Sequence, residues 1–102
     1  MARRLVWSPE AIEDIEAIAS YIERDSPHYA HIVAARLVET AESIPDFPGI
    51  GRIVPEAGDE ILRERFVYSY RLIYRLQEQQ VLIVAIIHGG RLLQPFLSRI
   101  AG

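Results

Sequence analysis

Arg71 and Arg75 stand in the segment YRLIYRLQEQQVLIVAIIHGGR, which runs from Tyr70 to Arg91 and closes on His88, two glycines and a further arginine. A guanidinium is a planar, permanently charged fork that holds carboxylates and phosphates. Two runs rich in Val, Ile and Tyr flank a short polar turn, so the segment reads as a β-hairpin. Alternation puts Arg71, Ile73 and Arg75 on one strand face and Tyr70, Leu72 and Tyr74 on the other. Two arginines on one face either grip an anion or serve as ordinary solvent-facing charge.

The charge around them is unevenly placed. Residues 1–60 hold five Arg and twelve acids, while residues 61–102 hold six Arg and two acids. This implies either an acidic, solvated helical half beside a sheet, or a locally basic sheet face that meets an anionic partner. All eleven basic residues are arginine, which a GC-rich genome also explains. The chain has no cysteine, so disulfides and thiolate sites are excluded. Its longest wholly apolar run, Val81 to Ile87, falls far short of the roughly 20 residues that span a bilayer. Neither a membrane partner nor a signal-peptide core is expected, and a cytoplasmic location is the default. At 102 residues with 50 % hydrophobic content, one domain over 1–102 is expected.

The elements that must position the arginines follow from pattern. Ala2 to Trp7 reads as a short strand. Ser8-Pro9-Glu10 is a helix start, with Ser as cap, Pro at the first helical position and an acid in the first turn. Ala11, Ile15, Ile18 and Ile22 form its apolar stripe, with Ile12 and Ala19 beside them. Ser26-Pro27 repeats the signal, and Tyr29, Val33, Leu37, Ala41 and Ile44 form the second stripe. Two helices so closely linked should pack as an antiparallel hairpin. Pro45 to Pro55 reads as a loop, with Phe47 and Ile50 expected to pin it to the core and Arg52 in its middle. From Glu60 to Val67 alternation puts Ile61, Arg63, Arg65 and Val67 on one face, and Leu62, Glu64 and Phe66 on the other. Pro95 is a candidate start for a short final helix packing through Phe96, Leu97 and Ile100.

The order β-α-α-β-β-β predicts an α+β fold, an antiparallel sheet with an α-helical hairpin on one face. The other sheet face is expected to be free. Burying two charges against the helices would be costly, so Arg71 and Arg75 are assigned to that free face as an open patch.

The start WSPEAIEDIEAIASYIE, the loop FPGIGRIVPE, the strand YRLIYR and the ending VAIIHGGRLL, in that order and spacing, resemble the RelE/ParE superfamily of toxins from type II toxin–antitoxin systems. The resemblance covers about residues 5–93, and the loop and HGGR ending resemble the ParE-like branch. It implies a RelE/ParE-like fold, growth arrest or plasmid stabilisation as the biological role, and a cognate antitoxin that holds the toxin inactive in a hetero-oligomer. Operator DNA would be contacted only through that antitoxin. ParE-like members are described as poisons of DNA gyrase, whereas RelE-like members are metal-independent nucleases that cut mRNA on the ribosome. The resemblance therefore implies neither a cofactor nor a metal.

Metal-free RNA cleavage needs a base for the 2′-hydroxyl, a cation for the phosphorane and an acid for the leaving oxygen. By the resemblance Arg71 matches the strand arginine of the nucleases. The chain has no lysine and no tyrosine after Tyr74. Gly89-Gly90 occupies the place of a His-Tyr pair, and His88 lies one residue early, which in a strand points to the opposite face. If the chain were a nuclease, Arg71 and His88 would be its catalytic residues, with Glu64 the only other nearby substitute. The preferred expectation is a ParE-like toxin without catalysis that inhibits a protein target, DNA gyrase. Arg71, Arg75 and Arg91, with Arg52, Arg63 and Arg65 nearby, would then form its target-binding face. The alternatives are a ribosome-dependent mRNA endonuclease and a non-toxic, antitoxin-binding scaffold.

Overall fold

The computed structural model describes residues 3–91 together with Leu93, Pro95 and Leu97. Strand β1 (Arg4–Trp7) leads into helices α1 (Pro9–Glu23) and α2 (Pro27–Ser43). Both helices start as the sequence predicts. Ser8 Oγ accepts the Ala11 N–H at 3.0 Å and Ser26 Oγ accepts the Tyr29 N–H at 3.1 Å, each ahead of a proline. A single 3-10 turn at Ile44–Asp46 carries the chain into the proline-rich loop. Strands β2 (Arg52–Ile53), β3 (Leu62–Val67), β4 (Tyr70–Leu76) and β5 (Gln80–His88) follow.

The sheet order is β1-β5-β4-β3-β2. The α+β class and the helical hairpin on one face stand as expected. The sheet itself is mixed, because β1 pairs parallel with β5 while the other pairs are antiparallel. The loop also contributes β2, a two-residue edge strand that the proline content had hidden. Ser8 ties β1 to α1 and β5 at once. Its N–H donates to Ile83 O at 2.9 Å while its hydroxyl caps the helix.

The helix-side core joins Val33, Leu37, Ala41 and Ile44 to Leu72, Tyr74, Val81, Ile83 and Ile86, all buried. Ile15, Ile18 and Ile22 of α1 pack against it only partly, and Ile12 and Tyr29 are exposed. The opposite sheet face is not free. Leu62, Ile73, Val84, Ala85 and Ile87 form a second buried cluster, covered by Val54, Ala57, Leu93 and Leu97. The physical reason lies in β5. A bulge opposite the Ile73/Tyr74 pairs makes Val84 an extra residue, and both Val84 and Ala85 pack on this second face. An apolar surface of that size must be covered, and the loop after β2 and the end of the chain do so. Phe96 and Ile100, the remaining residues of the expected final helix, lie outside the described residues.

Phe47 and Ile50 do not pin the loop; they are 67 % and 61 % exposed. Tyr74 pins it instead. Its hydroxyl, in the buried core, accepts the Gly51 N–H at 3.1 Å and donates to Pro48 O at 2.9 Å. From β3, Arg63 Nη1 reaches Gly51 O at 3.2 Å. A few polar anchors thus replace the apolar ones that composition suggested.

Candidate functional site

The six arginines do not share a face. Arg71 is opposite Phe66 and Arg75 opposite Leu62, both on the second sheet face. Arg52 pairs with Glu64 from β2 and lies over the Phe66 ring, 5.1 Å from its centroid. Arg63 and Arg65 are opposite Tyr74 and Leu72 and so point to the helix side. Arg91 lines a cleft on that same side. The single target-binding face expected from sequence is therefore divided in two by the sheet.

Arg71 is also not an open patch. It is 5 % exposed, and its guanidinium is held by two carboxylates. Nε and Nη2 donate to Glu64 Oε1 at 2.7 and 2.5 Å, and Nη1 and Nη2 donate to Glu56 at 2.8 and 2.9 Å. Glu64 Oε2 accepts from Arg52 Nε at 2.5 Å. Register explains the first pair. Glu64 opposes Ile73, so Arg71 is its diagonal neighbour two residues along β4, within reach of long side chains. The second pair depends on the loop. The N–H groups of Ala57 and Gly58 both donate to Val54 O, Gly58 sits at φ +61°, and the turn swings Glu56 over the sheet.

These bonds fix the protonation states. Hydrogen bonds from Arg71 hold the Glu56 carboxyl down at about 2 against the opposing effect of burial, and bonds from Glu56 and Glu64 push the Arg71 guanidinium up. A depressed folded-state pKa contributes stability that is complete above the unfolded value of 4.5 and is lost as pH falls toward about 2. Between those limits the wild-type chain is expected to lose more stability than Glu56→Gln, in urea denaturation followed against pH. The difference should be modest, because the Glu56 side chain is 40 % exposed and solvent screens the pair.

His88 lies on the opposite face from Arg71. It pairs with Tyr70 while Arg71 pairs with Ile87, so successive side chains diverge across the sheet. The His88 ring meets Tyr70 edge-on at 5.6 Å, and its Nδ1 accepts the Gly90 N–H at 3.1 Å. With Asp14, Ile18, Tyr21 and Arg91 this pair lines a cleft of about 480 Å³ between α1 and the end of β5. Asp14 Oδ2 accepts the Ile86 N–H there, closing part of the strand edge that β1 leaves uncovered beyond Ile83. Burial raises the Tyr70 hydroxyl above its ordinary range. Arg71 and His88 thus cannot converge on one phosphate. Among the described residues no cluster of three or more His, Asp or Glu could hold a metal ion. No helix among them is long and apolar enough to cross a membrane.

Residues 5–93 match the family described as ParE toxin of type II toxin–antitoxin system, parDE. The chain belongs to the ParE toxin family. Toxin RelE2 of Caulobacter vibrioides is 34 % identical over 89 residues, covering 87 % of this chain and 98 % of that protein. A putative toxin, Y4kP, of Sinorhizobium fredii is 32 % identical over 50 residues, 49 % of this chain and 52 % of that one. Among solved structures, the chromosomal ParDE system of P. aeruginosa superposes with a TM-score of 0.71 at 19 % identity, over 85 % of this chain and 96 % of that one. A free arginine-substituted variant of E. coli RelE gives 0.69 at 16 % identity, over 99 % and 96 %. These two superpositions show that the fold is that of the RelE/ParE toxins. A toxin of this family carries a cognate antitoxin as its partner.

Of the residues that organise this ParE-family site, Glu56 stands in the sequence only as the last residue of the FPGIGRIVPE loop, with no role assigned to it. Alternation separates Glu64 from Arg63 and Arg65, but grouping those two arginines with Arg71 sets Glu64 on the wrong side of the sheet, and its tie to Arg71 is missed. Counting back from the two-residue turn Tyr68-Ser69 would have set Phe66 opposite Arg71 and Glu64 diagonal to it. The FPGIGRIVPE motif marks Glu56 as part of the resemblance, but no local periodicity sets it against Arg71.

Proposed function

We propose that this ParE-family toxin acts by binding and inhibiting a protein target, DNA gyrase, and does not cleave RNA. The observation that supports this reading is the internal neutralisation of Arg71 by Glu56 and Glu64. A nuclease needs that guanidinium facing a phosphorane, with a proton donor and a base beside it. Here it faces two carboxylates, and the one nearby histidine projects to the other side of the sheet. In the protein-binding role the exposed arginines Arg52 and Arg91 are the contact residues, and Arg71 orders the face that carries Arg52. The antitoxin is proposed to neutralise the toxin by laying an amphipathic segment along the cleft beside α1, whose lining mixes Ile18, Ile86 and Ile87 with Asp14, His88 and Arg91.

Purified toxin is expected to inhibit supercoiling by gyrase and to leave ribosome-bound mRNA intact. Intact supercoiling together with cut mRNA would reverse the assignment in favour of the RelE-like reading. If neither activity and no growth arrest on induction were found, the scaffold reading would take its place.

A further inference from the structure

We propose that Glu56 is a specificity-determining residue: its carboxylate fills an anion site formed by Arg71 and flanked by Arg52, and so excludes phosphodiesters from it. The proposal rests on the reading that the toxin acts on a protein and not on RNA. Three observations carry it. Glu56 engages Nη1 and Nη2 of Arg71 at 2.8 and 2.9 Å, the two-pronged geometry with which arginine also takes a phosphate. The carboxylates differ in how they are held. Glu64 is fully buried on a strand, whereas Glu56 sits on a turn with its side chain 40 % exposed, so solvent reaches the position it fills. Charge is the third. Arg52 and Arg71 are balanced by Glu56 and Glu64; without Glu56 the group is left with one net positive charge and two donors aimed outward.

A phosphodiester oxygen pair has the shape and charge to replace the Glu56 carboxylate. With the glutamate tethered in place, an incoming phosphate meets a like charge and a guanidinium whose outward-facing Nη1 and Nη2 already donate to Glu56. The glutamate is thus an internal competitor at high effective concentration. Its low pKa keeps that competitor charged throughout the physiological range.

The test uses the full chain and its Glu56→Gln variant, which keeps the shape of the side chain and removes its charge. Affinity for a short fluorescein-labelled oligouridylate is read by anisotropy, and the Arg71 Nε–H resonance is followed by NMR. The variant is expected to bind RNA about tenfold or more tightly than wild type at low salt. The gain should vanish in Glu56→Gln/Arg71→Met. Inorganic phosphate alone forms a separate arm: a shift of the Arg71 resonance there marks free phosphate as a sufficient ligand, and a shift with RNA only marks the polymer. Equal affinity of variant and wild type would overturn the proposal. So would an Arg71 resonance that moves in the wild-type chain on adding RNA, a measurement that stands even if the variant does not fold. Supercoiling by gyrase is assayed beside these. Uninhibited supercoiling with a gain in Glu56→Gln sinks the protein-target reading alone, and inhibited supercoiling without a gain sinks the Glu56 assignment alone.

Discussion

Arg71→Ala is expected to lower stability by about 3–5 kcal/mol, the cost of removing one partner of a buried ion pair. The Glu64 side chain is fully buried, and after the substitution its carboxylate keeps only Arg52, whose side chain is 58 % exposed. Glu56 loses its partner as well, and the turn that covers the second sheet face loses its polar anchor. Small domains have only about 5–15 kcal/mol in total, so the variant sits close to unfolding. With a urea dependence of about 1–1.5 kcal/mol per molar, the midpoint should fall by about 2–5 M. Adding Glu64→Gln to an Arg71→Met background should recover part of this loss, because the remaining buried group is then neutral. A midpoint for Arg71→Ala within experimental error of wild type would show that the network is not structural.

That result bears on how toxicity is read. Loss of growth arrest in Arg71→Ala would follow from a nuclease, from a gyrase inhibitor and from an unfolded chain alike. Arg71→Lys is no safer, since an ammonium cannot serve Glu56 and Glu64 through a fixed fork. Arg52 and Arg91, exposed and on opposite sides of the sheet, are better probes of target contact than Arg71.

The same network shows where reading the sequence stopped short. Alternation separates Arg71 from Tyr70 and Glu64 from Arg63 within each strand, because the period of two is a property of the local chain, but it does not say which face of β3 matches which face of β4. The serine–proline starts of α1 and α2 were equally legible, since a cap is made by neighbours in sequence. What escaped was whatever depends on distant segments meeting. The cover over the second face comes from Val54 and Ala57, in a proline-rich stretch without periodicity, and from Leu93 and Leu97 near the end of the chain. The parallel pairing of β1 with β5 joins residues 76 apart, such as Arg4 and Gln80. Charge counting misled for a related reason. Dividing the chain at residue 60 put Glu56 among the acids of the helical half, although the fold lays it on a guanidinium of the other half. The strand faces were therefore readable, while which of them was open was not.

Gly51→Ala is expected to destabilise by about 2–4 kcal/mol, combining overpacking with the disturbance of two buried hydrogen bonds. A Cβ at this position would lie 2.3 Å from the Tyr74 hydroxyl and 2.8 Å from Glu64 O. The constraint is close approach, so no flexible side chain can simply swing aside: the tyrosine ring is fully buried and the second neighbour is backbone. To admit the methyl group, Tyr74 must give up the Gly51 N–H, the Pro48 carbonyl or both. Tyr74→Phe alone should cost about 1–3 kcal/mol, because it leaves that N–H and carbonyl without their partner. The two changes should not add. Removing the hydroxyl makes room for the methyl, so the double variant should be more stable than the sum of the single losses by about 1 kcal/mol. Strict additivity in a urea denaturation cycle would show that the loop relaxes away from Tyr74, and that the hydroxyl is not what holds it. The position matters beyond stability because Arg52 follows Gly51 directly and Glu56 lies on the next turn. Fixing the glycine against Tyr74 fixes the start of the segment that carries both charges to the second sheet face.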